Sequence, residues 1–271
     1  MNQKQWIQVD ESAVLNERRI SRSGLVTGVV PAVVLLVVAT VLGQPIVGLV
    51  VGVAAYFGTR RLLASSADRI LSAGVEMREL GDDEHSRLFN VVEGLCVVSG
   101  DQRPTLYLVD SGYPVAAAIV DSGGDNAIVV SDTFMSMMDR VEVEGVMAHL
   151  LWRLRTGNVA LVAHLLALTA ILRRVGLSTV ARRVTQSYLS PDVLMWADIF
   201  ACQATRFPPA LASALEKCQS CREPVDLGAA DSLCFALPTD SEGDAGAHDI
   251  APTVVGARPS LSARIAIVKE L

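Results

Sequence analysis

The chain has 271 residues and a formal net charge of −6. With a pI near 5.3 and no basic stripe, it lacks the electrostatic footprint of a nucleic-acid binder. Apolar residues make up 51% and mean hydropathy is +0.40, high for a soluble protein and pointing to membrane contact. Five scattered cysteines, an odd number on a chain long enough to build its own core, fit a reducing compartment better than a disulfide framework.

In chain order, residues 1–24 form a polar lead carrying Arg18, Arg19 and Arg22. Leu25 to Gly58 then contains no charged residue and is broken by the turn signal Gly43-Gln44-Pro45. Leu25–Leu42 would span ~27 Å as a helix, close to the hydrocarbon thickness of a bilayer. Arginines flank both ends of the uncharged stretch, with Arg60, Arg61 and Arg69 on the far side, and none lies in the turn. The positive-inside rule therefore predicts a transmembrane hairpin over 25–63 with both ends cytoplasmic. A single tilted span and a buried segment are the alternatives.

Beyond it, residues 64–271 read as one globular domain. A helix is predicted over Leu62–Val75, then a polar break, then a helix from Asp83 to Ser99 closed by Gly100. Strands follow at Thr105–Val109, Val115–Val120 and Ala127–Ser131, and a short helix capped by Asp132 or Thr133. Further helices are predicted over Val141–Arg155, over the apolar stretch Val159–Leu172, from Ser190-Pro191-Asp192 to Thr205, and from Pro208-Pro209 to about Cys221. Glu223–His248 is a loop-rich acidic excursion with one strand-like piece, Leu233–Leu237, and Pro259 opens a last helix over Leu261–Leu271.

The chemistry-bearing stretch is His149-Leu150-Leu151-Trp152-Arg153, which sits where a zinc peptidase would carry His-Glu-x-x-His. In that motif two histidines one helical turn apart hold the metal and the glutamate deprotonates its water. Here leucine cannot act as a base, and a guanidinium cannot give up its proton to become a ligand. Cys218-Gln-Ser-Cys221 offers at most a partial metal site without a fourth ligand. His164, Trp152 and the methionines Met135, Met137 and Met138 read first as helix packing.

Several blocks, in order and spacing, resemble the HtpX-like integral-membrane zinc metallopeptidases, relatives of the CaaX prenyl proteases. They are Leu88-Phe-Asn-Val-Val-Glu93, Arg103-Pro104-Thr-Leu-Tyr107, Ala127–Phe134, Glu142–His149, Trp196-Ala197-Asp198, Arg258-Pro259 and Arg264-Ile265. The resemblance implies an α+β, zincin-like metallopeptidase fold, mainly helical with a small antiparallel sheet. It also implies that Leu194 stands where the third zinc ligand is a glutamate. Val115-Ala116 stands where the family has Asn-Ala on the strand beside its substrate groove. Asp198 is implied to orient His149 from behind the metal position. Arg153, one helical turn from His149 on the same face, is expected to place its charge near that position, with Asp198 or Asp192 as partner.

With Leu150, Arg153 and Leu194 at ligand and base positions, no cofactor is expected. The resulting expectation is a catalytically inactive pseudo-metallopeptidase anchored in the inner (plasma) membrane, its globular domain cytoplasmic. It would act as a protein-binding or adaptor subunit toward another membrane protein or protease subunit, with Val115 and Ala116 as a possible peptide-binding edge. The alternatives are an active membrane zinc endopeptidase with a rearranged site and a purely structural subunit of a membrane complex.

Overall fold

In the computed structural model the described residues are 11–22, 77–81, 84–120, 125–174, 176–188, 192–221, 232–237 and 259–271, with isolated positions between 29 and 58. The transmembrane hairpin expected over 25–63 and the helix expected over Leu62–Val75 fall, those isolated positions apart, outside them. Among the described residues no single helix is long and apolar enough to cross a membrane.

A four-stranded sheet forms from β1 (Met77–Glu79), β2 (Thr105–Val109), β3 (Ala116–Val120) and β4 (Asn126–Ser131), in the order β1-β2-β4-β3. β3 and β4 pair antiparallel as expected, but β4 inserts between β3 and β2 and runs parallel to β2. The sheet is therefore mixed rather than antiparallel. Ala127, Ile128, Val129 and Val130 are all buried, so β4 is covered on both faces, but β3 is equally buried over Ala116–Ile119, and burial alone does not set the order. β1 was not anticipated, because three residues flanked by charges carry no readable alternation.

The described helices are α1 (Ser86–Ser99), α2 (Asp132–Met137), α3 (Arg140–Arg155), α4 (Asn158–Arg174), α5 (Ser178–Tyr188), α6 (Val193–Thr205), α7 (Pro208–Ser220) and α8 (Leu261–Lys269); α3 and α4 pack on β3 and α2 on β4. Gly100 ends α1 at a φ of 73°, a left-handed conformation that glycine adopts without strain, and its N–H bonds back to Cys96 O. Ser131, not Asp132 or Thr133, caps α2: its Oγ accepts from Phe134 N at 3.1 Å. The same hydroxyl accepts from Val115 N and donates to Tyr113 O, both at 2.9 Å, so one buried side chain fixes the crossing from sheet to helix.

α3 is the central helix. At its start Glu142 is buried, accepting from Asp139 N, from Ser213 Oγ and from Lys217 Nζ, the last two on α7. Burial pushes the Glu142 carboxyl up, but Lys217, Ser213 and the Asp139 amide outweigh it and hold it below its ordinary value. Val143, Val146, Met147, Leu150, Leu151 and Leu154 all enter the core, each worth about 1.5–3 kcal/mol relative to exposure.

At the far end of α3, Asn16 from the helical stretch 11–22 donates to Thr156 O at 2.8 Å, satisfying a terminal carbonyl. Beyond it the chain bends by 66° into α4, with Gly157 at a φ of 66°. The expected apolar stretch Val159–Leu172 lies within α4, and its Val159, Leu161, Val162, Leu165 and Leu166 are buried. α5, amphipathic but strongly polar in composition, had no counterpart in the sequence reading.

Candidate functional site

The site is where α3, which packs on β3, meets α6, and α6 meets α8. α3 presents His149 and Arg153 one turn apart on one face. α6, packed along α3, presents Asp198, and α8 presents Arg264. All four side chains are buried, each at most 1% exposed.

His149 Nδ1 lies 2.8 Å from Asp198 Oδ1. A carboxylate there selects the tautomer with the proton on Nδ1, which leaves a lone pair on Nε2. That Nε2 is buried without a hydrogen-bond partner. Both oxygens of Asp198 are also taken by Arg264, whose Nε donates to Oδ2 at 2.6 Å and Nη2 to Oδ1 at 2.8 Å. The counter-charge role expected of Arg153 toward Asp198 thus falls to Arg264, a residue that the sequence reading placed in the closing Arg-Ile block without a role.

Arg153 turns elsewhere. Its Nε donates to Asn158 Oδ1 at 3.3 Å, Nη1 to the carbonyls of Leu233 and Cys234 at 2.9 and 3.3 Å, and Nη2 to Ser232 O at 3.0 Å. Arg264 Nη1 adds a bond to Phe235 O at 2.6 Å. The piece predicted as strand-like at Leu233–Leu237 forms no strand: 232–233 make a 3-10 turn and Cys234 a single bridge, giving a strap held by two guanidiniums along its carbonyls.

The strap lies on the free side of β3. Phe235 N donates to Ala116 O at 2.7 Å, and Ala117 bridges Cys234 in antiparallel sense. Of the two edge residues singled out in the sequence, Val115 has its N–H and C=O bonded to Ser131, and Ala116 already carries the strap. The Phe235 ring meets the His149 ring edge-on, with centroids 5.1 Å apart at 86°, and the Arg264 guanidinium sits 5.0 Å from the Phe235 centroid. Sequence reasoning missed this constellation because its members run from Ala116 to Arg264, 148 positions apart, and only the fold brings them together.

Electrostatics follow from burial and charge. Burial lowers the His149 pKa to about 4, against the pull of Asp198, so the ring is neutral near pH 7. Burial raises Asp198, but the Arg264 guanidinium outweighs it and holds the carboxyl down at about 2. The Nε2 of His164 on α4 is buried without a hydrogen-bond partner, and burial lowers the pKa of the ring.

The zinc that the resemblance implies can be tested against these groups. The orphaned Nε2 of His149 is a competent donor. Its neighbour Leu150 is fully buried in the core, Leu194 is buried on α6, and Arg153 places a permanent cation one turn away. Asp198 is engaged by Arg264 and His149. Among the described residues no three His, Cys, Asp or Glu side chains come together; Arg258 lies outside those residues. A catalytic zinc usually takes three protein ligands and an open position, so these residues do not fit one. Cys218, the first half of the partial thiol site, is buried and its thiol is pushed up to about 12, which disfavours the thiolate a metal needs.

Trp152 is half-buried and tilted against Phe200, with ring centroids 6.2 Å apart, while Met135 and Met138 are buried.

The chain is similar to several proteins named Protease HtpX homolog. It is 28% identical over 190 residues to the one from Dictyoglomus thermophilum, covering 59% of this chain and 63% of that protein. It is 28% identical over 179 residues to the one from Dictyoglomus turgidum, covering 55% and 59%, and 25% identical over 178 residues to one from Tropheryma whipplei, covering 55% and 61%. The chain thus spans less than two thirds of the length of these curated relatives. No protein-family model matches it, and neither does any solved structure. The relatives' names support an HtpX-like kinship, consistent with the mostly helical domain and small mixed sheet.

Proposed function

We propose that the chain is a membrane-anchored pseudo-metallopeptidase of HtpX-like descent that acts by binding protein rather than by cleaving it. The observation that carries this reading is Arg153: the position of the second histidine holds a buried guanidinium bonded to the carbonyls of 232–234. Removing a general base alone typically costs ~10²–10⁴ in rate. Here two ligand positions are replaced as well, so no activated water is generated. The uncharged stretch from Leu25 to Gly58, flanked by arginines, supports an inner-membrane anchor with the domain on the cytoplasmic side. Another membrane protein or a protease subunit is the partner class.

An active zinc endopeptidase with rearranged ligands is the second reading, favoured by the free lone pair of His149 and by relatives whose names say protease. The two separate in one experiment on the full chain in mild detergent. A pseudo-enzyme purifies without zinc, leaves casein intact and retains a co-purifying membrane protein. A peptidase cleaves casein, stops with a chelator, and loses activity on His149→Ala.

A further inference from the structure

The C-terminal end of α7 gathers sulfur. Cys218 and Cys221 stand one turn apart there, with Cys221 N donating to Cys218 O at 3.3 Å. Met137, the last residue of α2, brings its thioether to the same place: Cys221 Sγ donates to Met137 Sδ at 3.9 Å. Lys217 fixes the Met137 backbone, donating from Nζ to Met137 O at 2.9 Å. The two thiols are close enough that charge on Cys221 acts on Cys218. Cys218 is 1% exposed, whereas Cys221 and Met137 are half-buried, so an incoming ion can reach them.

Zinc's usual donors do not converge among the described residues, but a thioether is a donor of another kind. Thiolate and thioether sulfurs are soft, and together they select Cu(I) over harder ions. An ion at the usual ~2.3 Å metal–thiolate distance from both Cys221 Sγ and Met137 Sδ would hold them about 115° apart. That angle is close to trigonal and leaves one side for a third sulfur, which Cys218 supplies.

We propose that Cys221, Met137 and Cys218 form a binding site for Cu(I), separate from the His149 cluster and independent of the protein-binding reading above. The ion takes the place of the proton that Cys221 now directs at Met137, and that proton leaves to solvent. One positive charge then meets one thiolate, and the centre stays neutral. A divalent ion would need a second thiolate for the same balance. Burial resists that, because it pushes the Cys218 thiol up to about 12. A reducing compartment, which the cysteine usage fits, keeps the thiols in the form that binds.

The test uses the full chain in mild detergent without oxygen, titrated with Cu(I) supplied as its bathocuproine disulfonate complex. The unmodified chain should withdraw roughly one Cu(I) per chain. Cys221→Ser should abolish that uptake, and Met137→Leu, a volume-conserving change, should weaken it about tenfold or more. Cys96→Ala removes a thiol on α1 and should leave it unchanged. Alkylation of the unmodified chain keeps the test decisive if a variant fails to fold: Cu(I) should shield Cys221 from N-ethylmaleimide in peptide mass analysis. Copper left with the competitor, uptake indifferent to Cys221→Ser or Met137→Leu, or Cys221 alkylated equally with and without Cu(I) overturns the proposal. Those outcomes leave the adaptor reading intact, whereas zinc held by His149 would remove the adaptor reading and leave the copper site standing.

Discussion

Arg264 and Asp198 form a two-pronged ion pair with no access to solvent, two N–O distances of 2.6 and 2.8 Å joining α8 to α6. Through the other face of Asp198 the pair reaches His149, and through Nη1 of Arg264 it reaches the strap. One carboxylate therefore ties three helices and the strap into a single polar cluster.

Breaking that pair strands a charge. Arg264→Met should destabilise the chain by about 3–5 kcal/mol, the usual cost of removing one partner of a buried pair. Arg264→Lys should recover little, because an ammonium cannot supply the fork. Urea unfolding of both variants checks this; a loss under about 1 kcal/mol in Arg264→Met would show the pair to be dispensable.

Stability should fall on mild acidification. His149 is held at about 4 in the folded chain against ~6.5 when unfolded. A depressed folded pKa stabilises fully above the unfolded value and loses that contribution as pH falls toward the folded one. The window is thus pH 6.5 down to 4, with about 3 kcal/mol at stake. Unfolding midpoints should drop across that window in the unmodified chain and stay flatter in His149→Phe.

Ser131→Ala removes the acceptor for Val115 N and Phe134 N and the donor to Tyr113 O. Three buried backbone groups lose a partner, for an expected cost of about 2 kcal/mol. Thermal unfolding checks it, and a variant as stable as the unmodified chain would contradict the hub.

The bridge itself can be trapped. Ala117 faces Cys234 across an antiparallel pair that does not exchange bonds, where Cα atoms stand about 4.5 Å apart, inside the range for a disulfide. Ala117→Cys treated with diamide should give an internal crosslink that is lost on reduction. Intact-mass analysis showing only free thiols would place the strap elsewhere.

Where patterns are local, the sequence is legible. α1 shows because Leu88, Val91 and Val92 recur at helical spacing and Gly100 stops it; the β3–β4 hairpin shows because its strands are β-branched and apolar around Asp121–Asp125. α5 was missed although Val180, Ala181, Val184 and Tyr188 recur at helical spacing, because so few apolar residues stand among its polar ones. The parallel pairing of β2 with β4 is a tertiary contact that no local pattern encodes, since β3 and β4 are equally buried. At the site, His149 and Asp198 were readable as motif positions, whereas the roles of Arg264, Phe235 and Asn158 came only from three-dimensional proximity.

Metal content measures the central claim most directly. Full chain purified without chelators should carry well under one zinc per chain by elemental mass spectrometry, and His149→Ala should not change that value. One zinc per chain, lost on His149→Ala, would contradict it.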